Sequence, residues 1–261
     1  MINRCSLICL AFLHCAYCFA GTIDPRVPDS KYLEYGAEHE CVVPIYGNCE
    51  CDKGPSKPHM FAASAVVIGK RWIVTAAHVV DKTTEVKIKA RGREYEIPRI
   101  VVNNHYREEL MGKYDIAIGE SKEDIELDFY PKLYEEKNET GKIVGICGYG
   151  MTGTFSTGAV RSDNKKRAGS NTVDHIERHV MVCSATRGVR TELEFMIARG
   201  DSGGGLFIDG KLAGVNSFVM AEDKRSDSDY GDECCHTRVS IFSHWILGYM
   251  NGEEPDGEAR D

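Results

Sequence analysis

From Cys41 onward the chain alternates short apolar, β-branched runs with polar turns. Runs at 41–46, 61–68, 71–75, 85–90, 97–102 and 115–119 predict strands, as do those at 143–148, 178–183, 193–198, 205–208 and 211–219. Many short strands with frequent turns, in a chain of 261 residues with 26 glycines, predict an all-β barrel or sandwich. Near the end the period changes. Ile241, Phe242, Trp245, Ile246 and Tyr249 recur at helical spacing and predict a closing amphipathic helix. The polar, acidic segment 120–142 suits a link between two halves, and residues 251–261, acidic and poor in apolar side chains, predict a disordered tail.

Residues 1–20 follow a different pattern: a basic start at Arg4, an apolar stretch from Cys5 to Phe19, then Ala20. The stretch is short for a membrane span, so it predicts a signal peptide cut before Gly21 and a secreted product, extracellular or periplasmic. Four of the eleven cysteines lie in that leader, leaving Cys41, Cys49, Cys51, Cys147, Cys183, Cys234 and Cys235. An odd number leaves at least one thiol unpaired within the chain. The net charge of −8 argues against nucleic acid or an anionic membrane as partner. The basic cluster Arg161, Lys165, Lys166 and Arg167 reads as a solvated loop.

Three segments carry candidate chemistry. Gly200-Asp201-Ser202-Gly203-Gly204 presents a serine between glycines, Thr75-Ala76-Ala77-His78 ends an apolar run in an imidazole, and Asp115-Ile116-Ala117 opens another run with an acid. A serine hydroxyl needs a base, a group orienting that base, and donors for the developing oxyanion. Taken singly, these segments read as a turn, a core histidine and a strand cap. Together and in the order His, Asp, Ser, the chain resembles the trypsin/chymotrypsin family of serine endopeptidases.

The resemblance implies two antiparallel six-stranded β-barrels within residues 21–250, dividing near residue 130, with a C-terminal helix. It implies a His78, Asp115 and Ser202 triad and an oxyanion hole of the Gly200 and Ser202 backbone N–H groups. A protein or peptide substrate, no cofactor, no metal, and a monomer free of the membrane after signal removal are expected. Met196 stands where trypsin has the aspartate that selects Lys or Arg, and Ser217-Phe218-Val219 replaces the usual Ser-Trp-Gly wall. A thioether cannot pair with a buried cation, and Val219 narrows the pocket, so small or medium apolar side chains are expected before the scissile bond. A competing preference for acidic substrates would draw on Arg199 or His236, although a structural role for His236 is favoured.

Family zymogens free an Ile or Val to pair with the aspartate before the nucleophile, here Asp201. Register places that start at Val27 after Arg26, but Pro28-Asp29-Ser30 does not match, leaving open whether signal removal alone suffices. The family disulfides beside the histidine and the pocket lack partners, with Val79 and Ala198 in place of cysteine. His175 and His179 are spaced i, i+4 but read as surface structure, and Cys49, Cys51, Cys234 and Cys235 as disulfide formers. The alternative to an enzyme is a catalytically silent protease-fold binding protein.

Overall fold

The computed structural model describes residues 21–49 and 59–260 apart from residues 111, 162, 187, 189 and 222. The expected signal peptide and Cys51 lie outside the described residues. Two curled, antiparallel seven-stranded sheets form the body, where six strands each were expected. In spatial order the first holds Arg93–Glu96, Thr83–Ala90, Val42–Cys49, His59–Gly69, Trp72–Thr75, Ala117–Glu120 and Arg99–Val102. The second holds Arg167–Thr172, Ile143–Gly148, Gly205–Ile208, Lys211–Met220, Glu233–Arg238, Val180–Ser184 and His175–Glu177. The boundary between them falls in 121–142, the polar segment singled out by composition.

β-branched residues explain why these runs become strands: Val42, Ile45, Val66, Ile73, Val74, Ile88 and Ile118 are fully buried together inside the first sheet. Burial of each such side chain contributes about 1.5–3 kcal/mol. The expected closing helix is Ser243–Met250, preceded by Phe242. Its Trp245 and Ile246 enter the core of the first sheet although the helix follows the second. The end of the chain therefore fastens the two halves together.

Several expectations are corrected. The tail is not free: Asn103 Nδ2 donates to Gly257 O at 2.9 Å, Arg260 N to Ile241 O at 3.0 Å, and Ala259 packs on the apolar core. Hydrogen bonds to and from its backbone hold it, together with the Ala259 contact. The helix Asp29–Glu38 lies in a stretch that carried no helical expectation. A Cβ at its Gly36 would sit 2.8 Å from Lys166 O, so only glycine permits this approach. The basic cluster is not simply solvated, because the fully buried Arg167 side chain pairs with Asp29 and Asp163, and Lys166 Nζ caps His39 O and Val42 O.

The linker is anchored by charge. Glu139, fully buried, accepts two hydrogen bonds from Arg238 at 3.1 Å and one from Ser240 Oγ at 2.6 Å. Removing one partner of a buried pair strands the other charge. Glu139→Ala is therefore expected to lower unfolding free energy by about 3–5 kcal/mol in urea denaturation. A loss below about 1 kcal/mol, the range of a solvated pair, would contradict this role.

Candidate active site

The strand Trp72–Thr75 runs into a single helical turn, Ala77–Val80, that carries His78. Ala76 and Ala77 are fully buried, and their small side chains let this turn sit against the core. Asp115 lies just before the strand Ala117–Glu120 and is 2% exposed. Its two oxygens hold His78 twice, accepting the backbone N–H at 2.9 Å and the Nδ1–H at 2.8 Å. Ser217 Oγ donates a short hydrogen bond to the same carboxylate, and Thr237 Oγ1 donates to Asp115 O at 3.0 Å. Both come from the second sheet, so Asp115 sits on the seam.

Electrostatics follow from that geometry. Burial disfavours the Asp115 carboxylate, but His78 and the Ser217 hydroxyl outweigh it and hold its pKa below the ordinary range. Burial also disfavours a charged His78, yet the hydrogen bond and charge of Asp115 raise its pKa above 6.5. The pair reinforces the state in which the acid is ionised and oriented toward the ring.

Ser202 lies in a turn that requires glycine on both sides. Gly200 and Gly203 have φ of +98° and +81°, and a Cβ on Gly203 would come within 2.2 Å of Ser64 O. Ser64, on the first sheet, braces this turn from across the seam: its N–H donates to Ser202 O at 2.9 Å and its hydroxyl to Gly200 O at 3.1 Å. From the second sheet, Asn216 Nδ2 donates to Asp201 O at 3.2 Å, while Gly203 N–H donates to Asn216 O at 2.8 Å. Sequence reasoning missed both residues. The available signal was a polar side chain inside an apolar run, as in Ala63-Ser64-Ala65 and Gly214-Val215-Asn216.

Ser202 Oγ donates to Ser217 O at 3.4 Å. Among the described residues, the backbone N–H groups of Gly200 and Ser202 have no hydrogen-bond partner. Ser217 itself is the extra residue of a β-bulge, because Asn216 opposes His236 while Phe218 opposes Cys235. The bulge turns its side chain to Asp115.

The residues expected to line the pocket divide. Met196 is fully buried in the core of the second half, and Val219 packs against that core. Phe218 faces the other way, with Val180, Val182 and Cys235, so it does not share a wall with Val219. His236 is fully buried, and its Nδ1 meets Asn216 Oδ1 at 2.9 Å, in keeping with the structural reading. Arg199 is exposed.

In the described chain the residue beside Asp201 is Gly21 rather than Val27. Gly21 N–H donates to Asp201 Oδ2 at 2.8 Å, whereas Val27 N–H closes a turn onto Asp24 O at 3.1 Å. The cause is backbone pairing: Thr22–Ile23 forms a strand between Thr152–Thr154 and Phe195–Met196, fixing Gly21 beside Asp201. Asp201 also accepts from Ala198 N–H at 2.8 Å and Gly150 N–H at 2.7 Å, and its burial pushes its pKa up to about 7. Among the described residues Cys41, Cys147, Cys183, Cys234 and Cys235 are buried and unbridged. Cys183, Cys234 and His236 gather in the second half as a set of possible metal ligands.

Comparison with known proteins agrees with this architecture. The chain is 30% identical over 175 residues to a trypsin from Simulium vittatum, covering 58% of this chain and 68% of that one. It is 27% identical over 214 residues to chymotrypsin-like elastase family member 1 from Canis lupus familiaris, covering 69% and 78%. Among solved structures, neuropsin, a serine protease expressed in the limbic system of mouse brain, superposes with a TM-score of 0.64 at 16% identity, covering 81% and 95%. A scabies mite inactivated protease paralogue superposes at 0.65 and 16% identity, covering 92% and 99%. These two likenesses are of fold. The Trypsin family model matches residues 42–246, and the chain belongs to that family of serine proteases.

Proposed function

We propose that the chain is a secreted serine endopeptidase that cleaves through an acyl-enzyme, with His78 as base, Asp115 as its orienting acid and Ser202 as nucleophile. The observation that carries this reading is the grip of Asp115 on His78 at the seam that also holds the Ser202 turn. In the reaction, Ser202 Oγ turns from Ser217 O toward His78, loses its proton to the ring and attacks the scissile carbonyl. His78 then delivers that proton to the leaving amine. The unpartnered N–H groups of Gly200 and Ser202 receive the oxyanion. Water completes the cycle, with His78 again as base.

The reading favours small or medium apolar side chains before the scissile bond. By resemblance to the family, Met196, uncharged and fully buried, takes the floor position and Val219, packed on the same core, the wall position. Peptides with alanine or valine at that position are expected to be cleaved at least tenfold faster, in kcat/KM, than those with lysine or arginine, a difference of about 1.4 kcal/mol. Equal or faster cleavage after lysine would contradict the pocket assignment.

The triad is tested by variants and pH together. Ser202→Ala is expected to lower kcat by about 10⁶-fold and Asp115→Asn by about 10⁴-fold. Because the base must be neutral and Asp115 raises its pKa, kcat/KM is expected to climb with pH through an apparent pKa above 6.5. A folded wild-type protein that hydrolyses no peptide would favour the silent binding-protein reading.

Maturation belongs to the same proposal. A cut before Gly21 leaves an ammonium 2.8 Å from Asp201, supplying the cation that this buried carboxylate lacks. A cut after Arg26 would instead remove the strand that fills the site. With the amine blocked, the Asp201 pKa of about 7 exceeds its unfolded value, so that stability is fully present below about pH 4 and lost as pH rises through 7. With the amine free, stability persists through neutrality and falls as the ammonium loses its proton above about pH 8. Thermal unfolding against pH, for chains starting at Gly21 and at an added residue before it, separates the two curves. Coincident curves would contradict the ion pair.

A further inference from the structure

We propose that Cys183, Cys234 and His236 form a binding site for a thiophilic divalent cation of the zinc type, inside the second half of the molecule. Cys183 and Cys234 stand directly opposite each other on the strands Val180–Ser184 and Glu233–Arg238. His236, two residues after Cys234, shares its face of the strand. The ligand atoms of all three lie within 4.8 Å of one another, and all three residues are fully buried.

Hydrogen bonding fixes what the imidazole offers. Asn216 Nδ2 donates to Cys147 O at 3.1 Å and to Asp201 O at 3.2 Å, so its amide oxygen faces His236. The proton must then sit on His236 Nδ1, which donates to Asn216 Oδ1 at 2.9 Å. This leaves the lone pair on Nε2, and Nε2 is buried without a hydrogen-bond partner. An orienting amide on one nitrogen and an unused lone pair on the other is the arrangement expected of a metal-binding histidine.

Charge and softness favour the same class of ion. Two thiolates and a neutral imidazole give a dication zero net charge, which is what a site without solvent can hold. Binding releases the two thiol protons to solvent and forms two metal–sulfur bonds and one metal–nitrogen bond, with no change in oxidation state. A Cys183–Cys234 disulfide would consume both sulfurs and still leave the buried Nε2 unpaired.

The site would act on structure rather than on the scissile bond. Cys234 opposes Val219 across the neighbouring strand and shares an apolar core with Met196 and Ile197, beneath the proposed pocket. An ion there ties together two strands of the sheet that supports the pocket. Because the site is closed, the ion enters as the protein folds. The proposal does not depend on catalysis.

The test is elemental analysis of the full chain isolated without chelator or reductant, followed by refolding in cobalt(II). About one zinc per chain and, after refolding, a sulfur-to-cobalt charge-transfer band are expected. Cys183→Ser should abolish the band. His236→Gln should weaken cobalt affinity by at least about tenfold. Cys235→Ser, on the opposite face, should leave both unchanged. Circular dichroism separates loss of metal from loss of fold, and the wild-type metal content decides the matter if a variant does not fold. A metal-free protein whose mass is short by two hydrogens through a Cys183–Cys234 bridge would overturn the proposal. So would metal-free protein with both thiols reduced, or binding that survives Cys183→Ser and His236→Gln.

Discussion

A carboxylate buried at a seam must be fully hydrogen-bonded, and Asp115 meets that demand only when both halves of the molecule are in place. The first half supplies two donors from His78, and the second supplies the Ser217 hydroxyl to the same oxygens and the Thr237 hydroxyl to the Asp115 backbone. Leaving such a group unpaired costs more than any one of these bonds returns, so docking of the sheets and orientation of the histidine are coupled. Ser64 extends the coupling to the nucleophile, since a residue of the first sheet holds both Gly200 O and Ser202 O. The site is thus a consequence of how the two sheets close.

Asp201 presents the same problem one turn away. It is buried with three backbone donors and, among the described residues, no ion-paired side chain, and its burial raises its pKa. The strand pairing of Thr22 and Ile23 sets the Gly21 nitrogen beside Asp201. At Gly21 itself φ is +52° and a Cβ would lie 2.0 Å from the Phe195 ring. Side-chain volume selects glycine at the position expected to follow the leader.

Much of the fold was legible because burial on both faces leaves apolar runs, such as residues 63–68 and 144–147. The strand Glu233–Arg238 was not, since Glu-Cys-Cys-His-Thr-Arg shows no apolar pattern although five of its six residues are buried. Its polar side chains are paid for by partners elsewhere, chiefly Asn216, Asp115 and Glu139. The proposed triad positions could be read because three segments, each ordinary alone, stand together in the order His, Asp, Ser. Ser64, Asn216 and the docking of residues 251–260 depend on contacts distant in sequence, which no local pattern records.

The central claim is that Ser202 is activated by the His78–Asp115 pair. Intact-mass analysis after exposure to a fluorophosphonate probe tests it most directly, with Ser202→Ala as the control. The account predicts a single covalent adduct on the wild type and none on the variant. A folded protein beginning at Gly21 that acquires no adduct, or an adduct that persists in Ser202→Ala, would contradict it.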